Sequence, residues 1–460
     1  LINPTVEAPT SIPESERLDA LRKALPDEGL FAGMSWRWSP RPFPLAPATV
    51  KRLEKLGHSL HRFLRAANEV YFRSRKSRSL PAWLHRYLDA GKPDGLLDIA
   101  TSPGLRNQLP RVIRPDLLLT QDGFALSEID SVPGGIGLTA WLQDSYQKLG
   151  ETDLVGGAEG MLKGFESIFP ADSDRIDISI SRESSDYRPE MDWLCEKLND
   201  RSPDSNDRWR VTDAENHQPA AGSSVYRFFE LFDLPNLPDI AENILRRAAS
   251  GDIHLTAPAK PWLEEKLWLA LFWLRPLREI WRRELRDSHW RALQEIIPYS
   301  WIVDPTPLPH HAVLPRLEIQ DFRELADLSQ SERELVLKVS GFSEISWGSR
   351  SVRIGHDLPQ AEWKSAVDTA IADFPEQPWL LQEFRHARRV EHARWDANDD
   401  LSIMDGRVRL CPYYFVSGEG KSEQVKLSGV LATIVPADKK IIHGMSDAII
   451  TPCRVDAEGY

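Results

Sequence analysis

Cysteine is scarce in this chain, an excess of positive charge is lacking, and no long apolar run occurs. Its 460 residues hold only 3 cysteines, Cys195, Cys411 and Cys453. They lie far apart and form no C-x-x-C pair, which sets aside a thiolate zinc site and a disulfide framework. No stretch approaches the roughly 18 uninterrupted apolar residues of a membrane helix. The first residues also lack the charged-then-apolar pattern of a secretory signal, so the expected location is the cytoplasm. Lys and Arg number 57 against 69 Asp and Glu, a net charge of −12 that argues against nucleic acid or an anionic membrane as partner. A local group of lysines still suffices to hold phosphate.

A length of 460 residues exceeds one ordinary core, so two or three subdomains are expected. Internal repeats and low-complexity tracts are absent. Residues 1–105 read as mainly helical. From Ala48 to Val70, Val50, Leu53, Leu56, Leu60, Phe63 and Leu64 recur at spacings of three and four and mark one apolar face. Pro40, Pro42 and Pro44 ahead of it read as an irregular entry. In residues 106–165, Leu117–Thr120 and Phe124–Asp130 flank Gln121-Asp122-Gly123, the pattern of strand, turn and strand. Residues 166–258 alternate strand and helix. Ile176–Ile180, Trp209–Thr212 and Ser224–Phe229 are the strands, Met191–Leu198 is the helix, and Asn199–Asp207 is a polar surface loop. That alternation predicts a small central α/β unit. Residues 259–460 open on a long helical stretch, Pro261–Glu295, and continue with strand-like runs at Glu334–Lys338, Trp379–Phe384, Val408–Val416 and Leu431–Val435. The expected fold class is α/β or α+β with mixed sheets.

Three groups of residues carry candidate chemistry. Arg114-Pro115-Asp116 lies on the first strand of the hairpin and Glu128-Ile129-Asp130 on the second. Residues two apart on a strand share a face, so Glu128 and Asp130 point one way and the turn brings Asp116 alongside. Three converging carboxylates repel unless a cation sits among them, and hard oxygen donors suit Mg²⁺ together with phosphate oxygens and water. A solvated acidic hairpin gives the same pattern. Arg114 shares the face of Asp116, where it can meet phosphate charge.

The second group is Leu335-Val336-Leu337-Lys338, which delivers a lysine into a loop running through Gly341 to Gly348 and Ser349. Exposed N–H groups in such a loop cradle phosphate and the ammonium adds a point charge. An ordinary hairpin with an exposed lysine reads alike, and the G-x-x-x-x-G-K-[ST] order of a Walker loop is absent. The third is an apolar strand ending in Gln382-Glu383-Phe384. It is either a core strand or a hinge whose backbone reads adenine while a carboxylate takes a ribose hydroxyl.

In their order along the chain these pieces resemble the circularly permuted ATP-grasp ligases. That group contains eukaryotic-type glutathione synthetase and the synthetase domain of glutathionylspermidine synthetase. In the permuted enzymes the E-x-N metal motif precedes the phosphate-binding lysine, as Glu128 precedes Lys338 here. The R-x-D strand matches Arg114 and Asp116, and the second, earlier lysine that opens a helix matches Lys266. The V-L-K strand and its glycine loop match Val336 to Lys338 and Gly341 through Ser349, and the hinge matches Gln382, Glu383 and Phe384.

The resemblance implies ATP and Mg²⁺ as cofactors, with the metal on Asp116, Glu128 and Asp130. It implies phosphates on Lys266 and Lys338, and Arg114 acting on the transferring phosphoryl group. It further implies a carboxylate–amine ligase that works through an acyl phosphate on a small-molecule or peptide acid and an amine. A catalytically silent nucleotide-binding or scaffold relative is the alternative.

The sequence departs from the pattern at Asp130, where asparagine is usual, and at Val339, where proline is usual. Thr433 stands where glutathione synthetases place a substrate-gripping arginine, so glutathione synthesis itself is not implied. His443–Ala448 is expected as a closing loop, and Arg227 is a candidate for a substrate carboxylate. His310, His311, His386 and His392 read as surface histidines. The run Arg275–Arg291 reads as an amphipathic surface helix.

Overall fold

The computed structural model describes residues 13–25, 36–76, 80–201, 207–237, 239–346, 350–396, 398–442 and 447–460. The chain opens with helix α1 (Glu14–Ala24), strand β1 (Phe43–Leu45) and the 30-residue helix α2 (Pro47–Lys76). Proline at the first position of α2 lacks only an N–H that has no helical partner there, and Arg73, Arg75 and Lys76 complement the dipole at its other end. Val50, Leu53, Leu56, Leu60, Phe63 and Leu64 are all buried, as their spacing predicts. Helices α3 (Trp83–Asp89) and α4 (Asp94–Ala100) complete the N-terminal region.

Strands β2 (Val112–Thr120) and β3 (Gly123–Asp130) form the expected hairpin, followed by α5 (Ile136–Lys148) and α6 (Gly160–Glu166). The central unit holds β4 (Ile176–Ile180), α7 (Arg188–Asp200), β5 (Trp209–Asp213), β6 (Ser224–Phe228), α8 (Asp239–Ser250) and β7 (His254–Thr256). Its four strands run parallel in the order β5-β4-β6-β7. A parallel sheet is covered on both faces, and every residue of β4 is buried, so its apparent alternation hides two inner faces. Asp177 on β4 is paired with Arg175 and Arg210 and lies 2.8 Å from His217 Nε2. The expected polar loop begins later than its composition predicts, because α7 runs on to Asp200. Residues 202–206 lie outside the described residues.

The stretch from Pro261 to Glu295 is not one helix. A 3-10 turn over Pro261–Glu264 precedes α9 (Leu267–Leu271), a second turn spans Arg275–Leu277, and α10 (Arg278–Ile296) follows with a break at Arg286. Pro261 and Pro276 each remove an N–H donor and fix φ, which confines them to helix starts. In α10, Trp281, Leu285, Trp290 and Leu293 pack inward while Arg282 and Arg283 stay partly exposed, an amphipathic surface helix as expected.

Beyond it come β8 (Ser300–Ile302), β9 (Leu335–Val339), β10 (Arg353–Ile354), α11 (Gln360–Asp373) and β11 (Trp379–Glu383). The last strands are β12 (Arg389–Trp395), β13 (Leu401–Ser417), β14 (Gln424–Pro436) and β15 (Ile449–Val455). A small antiparallel sheet has the order β10-β9-β11-β8. The large sheet runs β1-β15-β14-β13-β2-β3, with β12 added at one end of β13. The early hairpin and the C-terminal strands are therefore neighbours in one sheet. Among the described residues no helix is long and apolar enough to cross a membrane.

The largest core joins α2, the 261–297 segment and the inner face of this sheet. At its centre the fully buried Trp262 stacks on Tyr71 with ring centroids 3.8 Å apart. Removing that ring opens a cavity between α2 and the segment that carries Lys266. Trp262→Ala is expected to lower stability by about 3–5 kcal/mol in urea unfolding, and Trp262→Phe by clearly less.

Candidate active site

One cavity of about 370 Å³ opens where the hairpin, the small antiparallel sheet and the central unit meet. Arg114, Asp116, Glu128, Asp130, Lys266, Lys338, Gln382, Glu383 and Phe384, all named from sequence, line it. Segments as distant as Arg114 and Phe384 converge because β2 pairs with β13, and because β3 hands Ser127 to the lysine of β9.

The hairpin register sets Arg114 opposite Asp130 and Asp116 opposite Glu128, with an irregularity after Asp116. The Arg114 guanidinium lies 3.2 Å from Asp116, 3.1 Å from Asp130 and 4.0 Å from Glu128. Arg409, on β13, donates to the other oxygen of Asp116 at 2.8 Å, and the Cys411 thiol donates to the first at 3.4 Å. The cation that three converging carboxylates require is thus supplied largely by arginine. Asp116 is 2% exposed and held between two guanidinium groups, which balance its charge where it lines the cavity.

Glu128 and Asp130 do face the cavity. Glu128 lies 3.3 Å from the Lys266 ammonium, and Asp130 accepts the backbone N–H of Val132 at 2.9 Å. Burial, with repulsion from Glu128, raises the Asp130 carboxyl against the pull of Arg114. Among the described residues no three His, Cys, Asp or Glu side chains are placed to hold a metal ion together. Glu128 and Asp130, with oxygens from a ligand, form a donor set that fits a divalent cation.

Lys266 precedes α9 as its cap and also donates to Ser346 O at 2.9 Å. Its neighbour Glu265 is buried, ion-paired to Lys92 at 2.5 Å and bonded to Ser340 Oγ, which ties this lysine's backbone to the loop after β9. Lys338 donates to Ser127 O at 2.7 Å and to Gln382 Oε1 at 3.0 Å. Burial first, then the neighbouring Lys266, lowers its pKa from the ordinary lysine value of 10.5 to about 8. The Gln382 side chain thus positions a lysine and does not project from a hinge. Glu383 is paired with Arg316 at 2.6 Å and Arg385 at 3.2 Å. The N–H groups of Glu383 and Phe384 are engaged by Tyr299 O and Glu334 O, both at 2.9 Å. Both N–H groups are thus engaged within the protein.

Gly341 is absent from the cavity lining. A Cβ there would meet Glu264 O at 2.9 Å and Glu265 at 3.0 Å, so this glycine permits close packing of the loop on the segment before Lys266. Ser349, and residues 443–446 of the closing loop expected over His443–Ala448, lie outside the described residues. Arg227 is fully buried and donates to Phe229 O at 2.5 Å and Ala257 O at 3.3 Å while pairing with Glu264, so the expectation of a substrate grip is corrected to an internal tie. His392 is buried rather than at the surface. Its ring lies 2.9 Å from Ser39 Oγ, and burial lowers its pKa to about 4.

Several lining residues escaped the sequence reading. Arg409, Cys411 and Tyr413 alternate along β13 and line the cavity together, so the two-residue period was the available signal. Glu190 is 6% exposed and accepts the N–H groups of Gly135 at 2.7 Å and Gly137 at 3.3 Å, closing the start of α5. Burial raises its pKa to about 7. Gly135 has φ +86°, and a Cβ there would lie 2.4 Å from the Tyr413 hydroxyl, so only glycine fits. Glu230 is pushed up to about 8 by burial and by repulsion from Glu264 and Asp130. No spacing marks either glutamate, because both come from the central unit.

No protein-family model matches the chain, and no curated protein does. Among solved structures it is similar to a glutathione synthetase-like effector from Globodera pallida in its apo form. The two share 11% identity over 96% of each chain, with a TM-score of 0.56. A putative γ-glutamylcysteine synthetase from Methylobacillus flagellatus shows 12% identity over 81% of this chain and 86% of its own, at a TM-score of 0.39. D-alanyl-alanine synthetase A from Vibrio cholerae shows 9% identity over 63% and 90%, at 0.27. Only the first likeness is close enough to bear on the fold, a mixed α/β arrangement similar to that of this glutathione synthetase-like effector.

The lowered pKa of Lys338 has a signed consequence. Between about 8 and 10.5 the folded lysine is neutral while the unfolded one still binds a proton, so stability rises with pH across that window. Below the window, the cost of holding the charge is fully present. Urea unfolding at pH 7.5 and 9.5 is expected to show the parent gaining stability relative to Lys338→Met. Equal shifts in both would contradict the burial of a charged ammonium.

Proposed function

We propose that the protein is an ATP-dependent carboxylate–amine ligase built on a circularly permuted ATP-grasp arrangement. The observation that carries this reading is the convergence of Lys266 and Lys338, from separate segments, on Glu128 and Asp130 inside one cavity. In this reading residues 106–165 supply the acidic hairpin, residues 166–258 a substrate-binding unit, residues 259–460 the nucleotide-binding region, and residues 1–105 a helical support.

Lys266 and Lys338 hold the phosphates of ATP, with Gln382 and Ser127 O fixing where Lys338 points. Glu128 and Asp130 are the residues that would hold Mg²⁺, which when bound neutralises phosphate charge during transfer. Glu383 and Phe384 border the adenosine end. Arg114 is anchored on Asp116 and Asp130 and presents its guanidinium to the charge that develops as the γ-phosphoryl group leaves ADP for the substrate carboxylate. The amine nitrogen then attacks the activated carbonyl carbon, the carbon–oxygen bond to phosphate breaks, and the nitrogen gives up its proton. Neither step requires a side-chain nucleophile. A silent nucleotide-binding protein is the second reading, favoured by the engagement of Asp116 with two arginines, which leaves two carboxylates where three were expected.

Mg-ATP in hundredfold excess over its dissociation constant is expected to stabilise the fold by roughly 2.7 kcal/mol, seen as a raised melting temperature. Glu128→Gln should weaken the magnesium-dependent part of that shift. No shift for folded parent at millimolar nucleotide would sink the assignment.

Arg114→Lys, which keeps the charge that balances Asp116, should leave ATP affinity within a few-fold while slowing substrate-stimulated ADP release by tenfold or more. Lys338→Ala should weaken ATP binding itself. Normal turnover in Arg114→Lys would remove Arg114 from the chemistry. ATP binding with no ADP release against pools of acids and amines would favour the silent reading.

A further inference from the structure

The helices behind the large sheet hold a second concentration of positive charge, remote from the cavity. Along β13, Arg409 and Cys411 line the cavity, while Val408 and Leu410 enter the core that α2 and α10 cover. The sheet therefore separates the outer surface of α2 and α10 from the cavity. On that surface the His289 ring lies 2.9 Å from Ser59 Oγ, which fixes the level at which α10 crosses α2. His58 and Arg62 stand one residue before and three residues after Ser59, and Arg286 stands three before His289. His58 and Arg286 are exposed, and Arg62 and His289 are half-buried. Four basic side chains from two helices thus share one surface patch.

The patch lacks the acids that would balance it. Among the described residues no carboxylate forms an ion pair with any of the four, Glu54 on the turn before His58 included. The carboxylates around it are committed elsewhere, Glu423 to Arg65 and His61, Asp287 to Arg282, Glu295 to Arg52, and Glu284 to Arg73 and Arg283. Burial first, then Arg62, His58 and Arg286, lowers the pKa of His289. Burial first, then Arg286 and Arg65, lowers that of Arg62. No acidic group is among those acting on either. The backbone is strained at the same place, because α10 breaks at Arg286, whose φ of 64° and ψ of 159° suit glycine. Like charges are set together around a strained residue without a counter-charge, in a chain whose net charge is −12.

An anion with several acceptor oxygens relieves such repulsion. Guanidinium forks match phosphate oxygens two at a time, and imidazole N–H groups beside them donate further hydrogen bonds. Among the described residues no exposed large apolar side chain lies on α2 or α10, so a bilayer would find no apolar anchor there. We propose that the α2–α10 face is a second anion site, which binds a soluble phosphorylated small molecule through Arg62 and Arg286 with His58 and His289 at its edges. The site is separate from the nucleotide cavity and stands independently of the ligase reading.

The test is calorimetric titration of the full chain with sodium pyrophosphate at pH 7.0 in metal-free buffer. It uses Lys338→Ala, in which phosphate binding in the cavity is weakened, alone and combined with Arg62→Gln or Arg286→Gln. Pyrophosphate should bind Lys338→Ala and lose tenfold or more in affinity with either added substitution. Tricarballylate, a carboxylate anion, should bind at least tenfold more weakly than pyrophosphate. In the otherwise native chain, Arg62→Gln and Arg286→Gln should each hold a non-hydrolysable Mg-ATP analogue within twofold of the parent. Arg62 lies in regular helix, so its variant guards against a folding defect at the Arg286 break. The chain should not sediment with phosphatidic acid vesicles. Pyrophosphate affinity unchanged by both glutamine substitutions, or abolished by Lys338→Ala alone, would overturn the site. Tricarballylate binding as tightly as pyrophosphate would overturn the phosphate assignment, and Arg62-dependent sedimentation with vesicles would overturn the soluble ligand. If pyrophosphate behaves as expected and the nucleotide analogue does not bind, this site stands and the ligase reading falls.

Discussion

Asp116 is buried at the foot of the hairpin with a guanidinium on either side, and this arrangement decides what the surrounding groups are able to do. An isolated carboxylate there would be costly to keep charged. Paired with Arg114 and Arg409, it becomes the fixed point from which Arg114 reaches Asp130 and approaches Glu128. It also joins β2 to β13 by charge where the two strands already share backbone hydrogen bonds. The orientation of Arg114 in the cavity is therefore set through the same carboxylate that joins β2 to β13.

A second buried pair does comparable work on the opposite side. Lys92 and Glu265 are almost wholly withdrawn from solvent, and Ser340 completes the glutamate's hydrogen bonding. Breaking such a pair strands a charge, whereas the intact pair adds little net stability. Its value here is positional. It fixes the residue before Lys266 against the residue two after Lys338, so both lysines are referred to one anchor from the N-terminal helices.

Much of this was legible in the sequence, and the reasons for what was not are physical. The α2 stripe, the hairpin and the strands of the central unit were readable because each has a strong local period. The helical stretch after Pro261 was read as continuous because its apolar residues outweighed Pro276 in the pattern, although proline governs the backbone. Glu128, Asp130 and Lys338, which line the cavity, stood out because each sits on a short strand motif, and Lys266 because the resemblance pointed to it. Glu190 and Glu230 were missed because their place in the cavity depends on how α7 and β6 pack against the hairpin. The close approach of Gly341 to Glu264 was not legible, because in one dimension a glycine needed for packing looks like a glycine needed for phosphate.

The pairing of β2 with β13 carries a further consequence for how the chain is made. Arg409 and Asp116 are 293 residues apart, so the hairpin leaves the ribosome long before the strand that completes its sheet exists. Until then the outer edge of β2 has open backbone groups and Asp116 lacks one of its two cations. Contacts of such long sequence separation slow folding and prolong the life of exposed edges. Chains that stop short of β13 are therefore left with an open hairpin edge, and the C-terminal strands act as the late step that commits the protein to its folded form.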